Sequence, residues 1–195
     1  MAHTQDLAGL LVAIAAGDGA VVRASLDAAP ALATARLARR DEFFLADCHA
    51  QVYEGATALH AAAFAYDRET ARDLVARGAD IRARDRRGAE PLHAAVIGEP
   101  GTPNWNPARQ RAVIEYLVAA GADPNAAARG GVTPLHRAVR NRCSAAVEAL
   151  LRAGADPRAA NTTGRRLRTS HAGPRGAVVW APRQPGPNSR SSSTC

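Results

Sequence analysis

Apolar positions along this chain recur in a two-part pattern. A thin alanine-rich run, Ala61-Ala62-Ala63, Ala94-Ala95 or Ala138, is followed downstream by a bulkier stripe, Leu74-Val75, Tyr116-Leu117-Val118 or Leu150-Leu151. The pattern predicts helix pairs: a slim first helix that lets neighbours approach closely, then a second helix with one buried face. The polar punctuation agrees. Thr57 and Thr133 stand where an N-cap hydroxyl takes up an orphan backbone N–H. Pro91 and Pro134 fall at the first helical position, where a missing N–H costs nothing. Gly78, Gly121 and Gly154 offer the left-handed residue that ends the second helix.

Three segments can be overlaid: G55-A-T-A-L-H-A-A-A…L-V-A-R-G-A-D80, G88-A-E-P-L-H-A-A-V…L-V-A-A-G-A-D123 and G131-V-T-P-L-H-R-A-V…L-L-R-A-G-A-D156. His60 to Gly78 and His136 to Gly154 each span 18 residues, and His60 to His93 spans 33. A fixed period with T-P-L-H opening one helix and G-A-D closing the next marks a stacked repeat, whose units bury their apolar faces only against each other. From Asp6 to about Thr163 the chain resembles the ankyrin-repeat family, in its bacterial type. The resemblance implies an all-α solenoid of stacked helix-turn-helix repeats with short β-hairpin finger loops. It places an ankyrin domain at 1–163, with repeats at about 6–54, 55–87, 88–130 and 131–163.

The departures from the repeat are as informative as the matches. Repeat one is degenerate, two short helices broken at Gly17–Gly19. The following connection, 31–54, is long, and Phe43 and Phe44 are expected to anchor it against the stack. In repeat three His93 to Gly121 is 28 residues rather than 18. The extra residues fall within G98-E-P-G-T-P-N-W-N-P107, a stiff non-helical loop with Pro107 at the start of the next helix. After Thr163 Gly164 arrives on time, but the pattern then collapses into an Arg-, Pro- and Ser-rich tail, 164–195, which is expected to be disordered. One reading of that abruptness is a reading-frame shift that destroyed a fifth, capping repeat; the other is a natural unstructured tail. Either leaves Leu150 and Leu151 of repeat four uncovered, so this unit is expected to fray or to self-associate.

Charge changes the picture less than the net value of +7 suggests. Residues 1–156 hold 18 Arg and 18 acids, while 157–195 hold 7 Arg and no acid. The body therefore has no net pull on phosphate, and nucleic-acid binding would have to use the tail. All 25 basic residues are Arg, which reads as codon bias in a GC-rich, bacterial genome. Cys48, Cys143 and Cys195 are odd in number and far apart, which argues for a reducing, cytoplasmic setting. Leu7–Ala16 is too short to cross a bilayer and lacks the basic flank of a signal peptide, so no membrane partner is expected.

Candidate chemistry is sparse. His60, His93 and His136 belong to stacked helices roughly 8–10 Å apart, a ladder rather than a metal cage; their expected role is to bond the neighbouring finger. No nucleophile motif, phosphate loop or dinucleotide fingerprint occurs, so neither an enzyme nor a cofactor is expected. The resemblance instead implies a partner-binding concave face. Position by position, that face points to Phe64 and Tyr66 in repeat two, Ile97 in repeat three, and Arg137, Arg140 and Arg142 in repeat four. Arg84, Arg86, Arg87 and Arg129 belong to finger tips. Inter-repeat packing is the competing role for Phe64 and Tyr66. Trp105 either pins the inserted loop or touches a partner. The expected function is a non-catalytic protein–protein interaction module. The alternatives are an immunity or regulatory subunit that controls an enzyme or toxin, and nucleic-acid binding through the basic tail.

Overall fold

The computed structural model describes residues 6–38, 41–98 and 105–162, and the backbone of 167–170 and 177–180. Eight helices fall in these stretches: α1 (Leu7–Ala16), α2 (Gly19–Ala28), α3 (Ala58–Phe64), α4 (Arg68–Ala76), α5 (Pro91–Ala95), α6 (Pro107–Ala119), α7 (Pro134–Arg140) and α8 (Ser144–Arg152). They form four consecutive pairs. The first helices α1, α3, α5 and α7 stack in one row, and α4, α6 and α8 in a second. The architecture is a helix-turn-helix solenoid. No helix among the described residues is long and apolar enough to cross a membrane.

Local chemistry sets the ends of these helices. Asp6, Asp18, Asp67 and Asn106 each accept a backbone N–H of the first turn that follows them, which satisfies donors a helix start leaves orphaned. Gly78, Gly121 and Gly154 end the second helices at φ of 91°, 109° and 87°. In the G-A-D turns that follow, Asp80, Asp123 and Asp156 accept the backbone N–H two residues on, at 2.9, 2.8 and 2.8 Å. The core is one continuous strip. Leu10, Leu11, Leu26, Leu59, Leu74, Leu92, Leu117, Leu135 and Leu150 are all fully buried.

The fingers stack by backbone hydrogen bonds. Arg86 N donates to Glu54 O (2.7 Å), Arg129 N to Arg87 O (2.8 Å) and Thr162 N to Gly130 O (2.9 Å). At Gly55 the contact is so close that an added Cβ would lie 2.8 Å from the Arg84 carbonyl, and its φ of +83° also favours glycine. The fingers are tight turns more than hairpins; Ala128 and Val132 form a single antiparallel bridge.

The histidine ladder joins helix to finger. The N–H of Thr57 points at His60 Nδ1 (3.2 Å), so that nitrogen is bare and Nε2 carries the proton, which it gives to Ala89 O at 3.1 Å. His93 repeats this with Glu90 N (3.2 Å) and Val132 O (3.1 Å). His136 Nδ1 accepts Thr133 N at 3.2 Å.

Several expectations need correction. Phe43 packs against the core, but Phe44 is 54% exposed. The long connection is instead anchored by a small antiparallel sheet, β1 (Phe43–Leu45) with β2 (Ala50–Val52), whose Leu45 and Val52 are buried. Alternation along a strand turns Phe44 outward. In the tail, β3 (Leu167–Ser170) and β4 (Ala177–Trp180) pair antiparallel, and β4 lies beside α7. These two stretches are extended strands, as the β-branched and aromatic run A177-V-V-W180 permits. The remainder of the tail and the loop 99–104 lie outside the described residues. Leu150 is fully buried, and Val12 and Phe44 are the exposed large hydrophobics of the described chain. Of the two leucines expected to lie bare in repeat four, Leu150 is thus enclosed and Leu151 is half-buried.

Repeat three carries one costly substitution. Where the neighbouring repeats have Thr57 and Thr133, it has Glu90, 2% exposed. One carboxylate oxygen meets Arg84 at 2.9 Å and the side chain forms a capping box with the first turn of α5, while Oε2 is buried without a close hydrogen-bond partner. Burial raises its pKa, against the lowering influence of Arg84. Glu90→Thr is expected to stabilise the fold by about 1 kcal/mol near pH 7, the lower end of the penalty for a buried unsatisfied group. Urea unfolding of the variant against the parent chain checks this, and a loss of stability would mean the Arg84 pair outweighs the desolvation.

Candidate functional site

The first helices and the fingers together form an inner face, and its chemistry centres on Tyr53. Arg86 and Arg87 lie over the Tyr53 ring, their guanidinium carbons 4.8 and 5.0 Å from its centroid, at cation–π distance. Arg87 Nη1 also donates to the Tyr53 hydroxyl at 2.9 Å. Arg86 forms a two-pronged ion pair with Glu42, one arm at 2.9 Å. These contacts hold two finger-tip guanidiniums in fixed positions rather than leaving them to sweep through solvent.

Next to this cluster is a cleft of 120 Å³ lined by Tyr53, His60, Phe64, Asp85, Arg87, Ile97 and Arg137, among others. Arg137 reaches it from α7 and donates to the His93 carbonyl at 3.4 Å. Burial depresses the Arg137 pKa to about 10, with Arg87 and Arg140 repelling its charge and Asp85 opposing them. The guanidinium still carries its proton at neutral pH. Asp85 is a carboxylate lining the cleft, and its Oδ1 already accepts the backbone N–H of Arg87 and of Ala89, both at 2.8 Å.

A larger cleft of 430 Å³ runs along the inter-helix turns, bordered by Gly17, Cys48, Tyr66, Gly98 and Trp105. Burial, with a smaller contribution from Asp47, raises the Cys48 thiol to about 11. It is therefore protonated at neutral pH and a poor nucleophile. Among the described residues no group of three or more His, Cys, Asp or Glu is placed to hold a metal ion.

The residues singled out in the sequence divide into three groups. Phe64, Arg87, Ile97 and Arg137 line one cleft, Arg86 lies beside it over Tyr53, Arg140 is near enough to Arg137 to repel its charge, and Arg129 is exposed on the next finger with its N–H on Arg87 O. Arg84 lies at a finger but is committed to Glu90. Tyr66 and Arg142 occupy left-handed positions at the inter-helix turns, with φ of 54° and 58°. Tyr66 is buried and its hydroxyl donates to Ile97 O; the packing role applies.

Trp105 likewise packs against the core and gives its indole N–H to Gln110 Oε1 at 3.2 Å. Gln110 is fully buried and donates in turn to Ala95 O at 3.1 Å. Tyr66 and Gln110 thus bond the residues on either side of the inserted loop, Ile97 and Trp105. Sequence reading missed Glu42, Tyr53 and Asp85. Glu42 and Tyr53 belong to the one connection that has no counterpart in the other repeats, so no periodic signal marks them.

A family model described as Ankyrin repeats (3 copies) matches residues 10–126, and one described as Ankyrin repeats (many copies) matches 117–167. The chain belongs to the ankyrin-repeat family, whose domains are generally protein–protein interaction modules. No curated protein matches it.

Proposed function

We propose that this chain is a non-catalytic protein-binding module that uses its inner face in a reducing bacterial cytoplasm. The observation that carries this is the prearranged cluster of Tyr53, Arg86, Arg87 and Arg137 beside Phe64. Aromatic residues and Arg dominate interface energetics. Here they are held by hydrogen bonds and ring contacts before any partner arrives, which lowers the ordering cost of association. The unpaired thiols of Cys48 and Cys143 accord with a reducing setting.

The test is capture from the native cell extract by the immobilised chain, compared with a variant carrying Arg87→Glu and Arg140→Glu. Both side chains are exposed, so the variant is expected to fold. It should lose at least one protein that the parent chain retains reproducibly. An identical set of retained proteins would remove the inner face from consideration. A regulatory or immunity subunit would use the same surface, and an enzyme or toxin among the lost proteins would assign that narrower role.

A further inference from the structure

The cleft beside Tyr53 has the size and charge of a socket for one side chain. Its 120 Å³ is well below the roughly 300–1,000 Å³ of small-molecule sites. Two guanidiniums, Arg87 and Arg137, line it against the single carboxylate of Asp85, whose Oδ1 already accepts two backbone N–H groups. Arg137 makes no ion pair with any described residue, and its hydrogen bond to the His93 carbonyl is long at 3.4 Å. By contrast Arg36, Arg77, Arg84 and Arg86 each have a carboxylate partner. A partly desolvated cation with unused donors is a strong receptor for a carboxylate, because a charge-assisted bond replaces solvation already lost. Phe64, Ile97 and the Tyr53 ring supply apolar walls around it.

We propose that the partner docks an acidic side chain in this socket: an Asp or Glu carboxylate, flanked by apolar residues, bridges Arg137 and Arg87 while its neighbours lie on Phe64 and Ile97. This rests on the binding-module reading and specifies the partner's chemistry. Phosphates of a nucleic acid are the weaker fit, since the body carries equal numbers of Arg and acids over 1–156 and the socket is narrow and walled by apolar groups.

Panning a phage-displayed random peptide library on the immobilised full chain tests the proposal. Enriched peptides are expected to share an Asp or Glu beside an apolar residue. Synthetic versions should bind roughly 10- to 100-fold more weakly when that acid becomes Asn or Gln, or when the protein carries Arg137→Gln, the range for a lost hydrogen bond to a charged group. Arg87→Gln, at an exposed position, provides a second variant should Arg137→Gln melt early. Enriched peptides without an acid, or unchanged affinity in Arg87→Gln and in folded Arg137→Gln, overturn the socket and leave the module reading standing. Displacement of the peptides by a single-stranded oligonucleotide at equal concentration overturns it in favour of phosphate. A library that yields no binder overturns both readings.

Discussion

Acidification from pH 7.5 to 5 is expected to destabilise the fold by about 2 kcal/mol through His93 alone. Burial, the largest cause, lowers its pKa from 6.5 to about 3, with Arg137 adding repulsion and the bond to the Val132 carbonyl opposing. The geometry explains the preference, since a proton on Nδ1 would face the Glu90 N–H that now donates to it at 3.2 Å. A histidine with a depressed folded pKa contributes stability that is fully present above its unfolded value. That stability is lost progressively as pH falls from 6.5 towards 3, the unfolded chain binding the extra proton. His60 is also lowered, chiefly by burial, and acts with the same sign.

Glu90 acts in the opposite sense. Its raised pKa favours the fold at low pH and costs stability as pH rises through the folded value. Urea unfolding across this window is therefore best measured in the Glu90→Thr background, where the opposing group is gone. Stability there that stays flat or increases on acidification would show that His60 and His93 are not held neutral.

Leu135→Ala is expected to cost about 2–5 kcal/mol, the range for truncating a fully enclosed leucine. Leu135 is 0% exposed and belongs to α7, in the inner row between α5 and the tail strand β4. Its neighbours are anchored on both sides and can collapse only partly into the space. Arg140→Ala, at an exposed site on the same helix, should fall within about 0.5 kcal/mol of the parent, as surface changes usually do. Chemical denaturation of the two variants side by side settles the contrast, and a near-neutral Leu135→Ala would mean the repeat register is misassigned.

The solenoid, its proline starts, its glycine stops and its turns were legible in the chain because each is a short-range device. A left-handed glycine, a proline at a helix start or an Asp that bonds two residues ahead acts within one turn and leaves its mark at a fixed offset. The histidine role was legible for a related reason, since the same bond recurs in successive units. The inner face was only partly legible. Repeat position nominated Arg84, Arg86, Arg87, Tyr66 and Arg137 alike, yet their surroundings separate them.

Tertiary structure made that separation through partners far away in sequence. Arg86 meets Glu42 and Arg87 meets Tyr53, across 44 and 34 residues, in a connection outside the repeat. Arg84 is taken by Glu90, a residue that breaks the Thr pattern. Tyr66 is buried in the core at an inter-helix turn, with φ 54°. Periodicity encodes which residues face the same way, because that follows from helix geometry. It does not encode which guanidinium finds a carboxylate, because that depends on what the non-repeating connection brings alongside. By itself the sequence determined the stacked scaffold; only the folded stack decided that Arg137 would be partly buried with no ion pair to any described carboxylate.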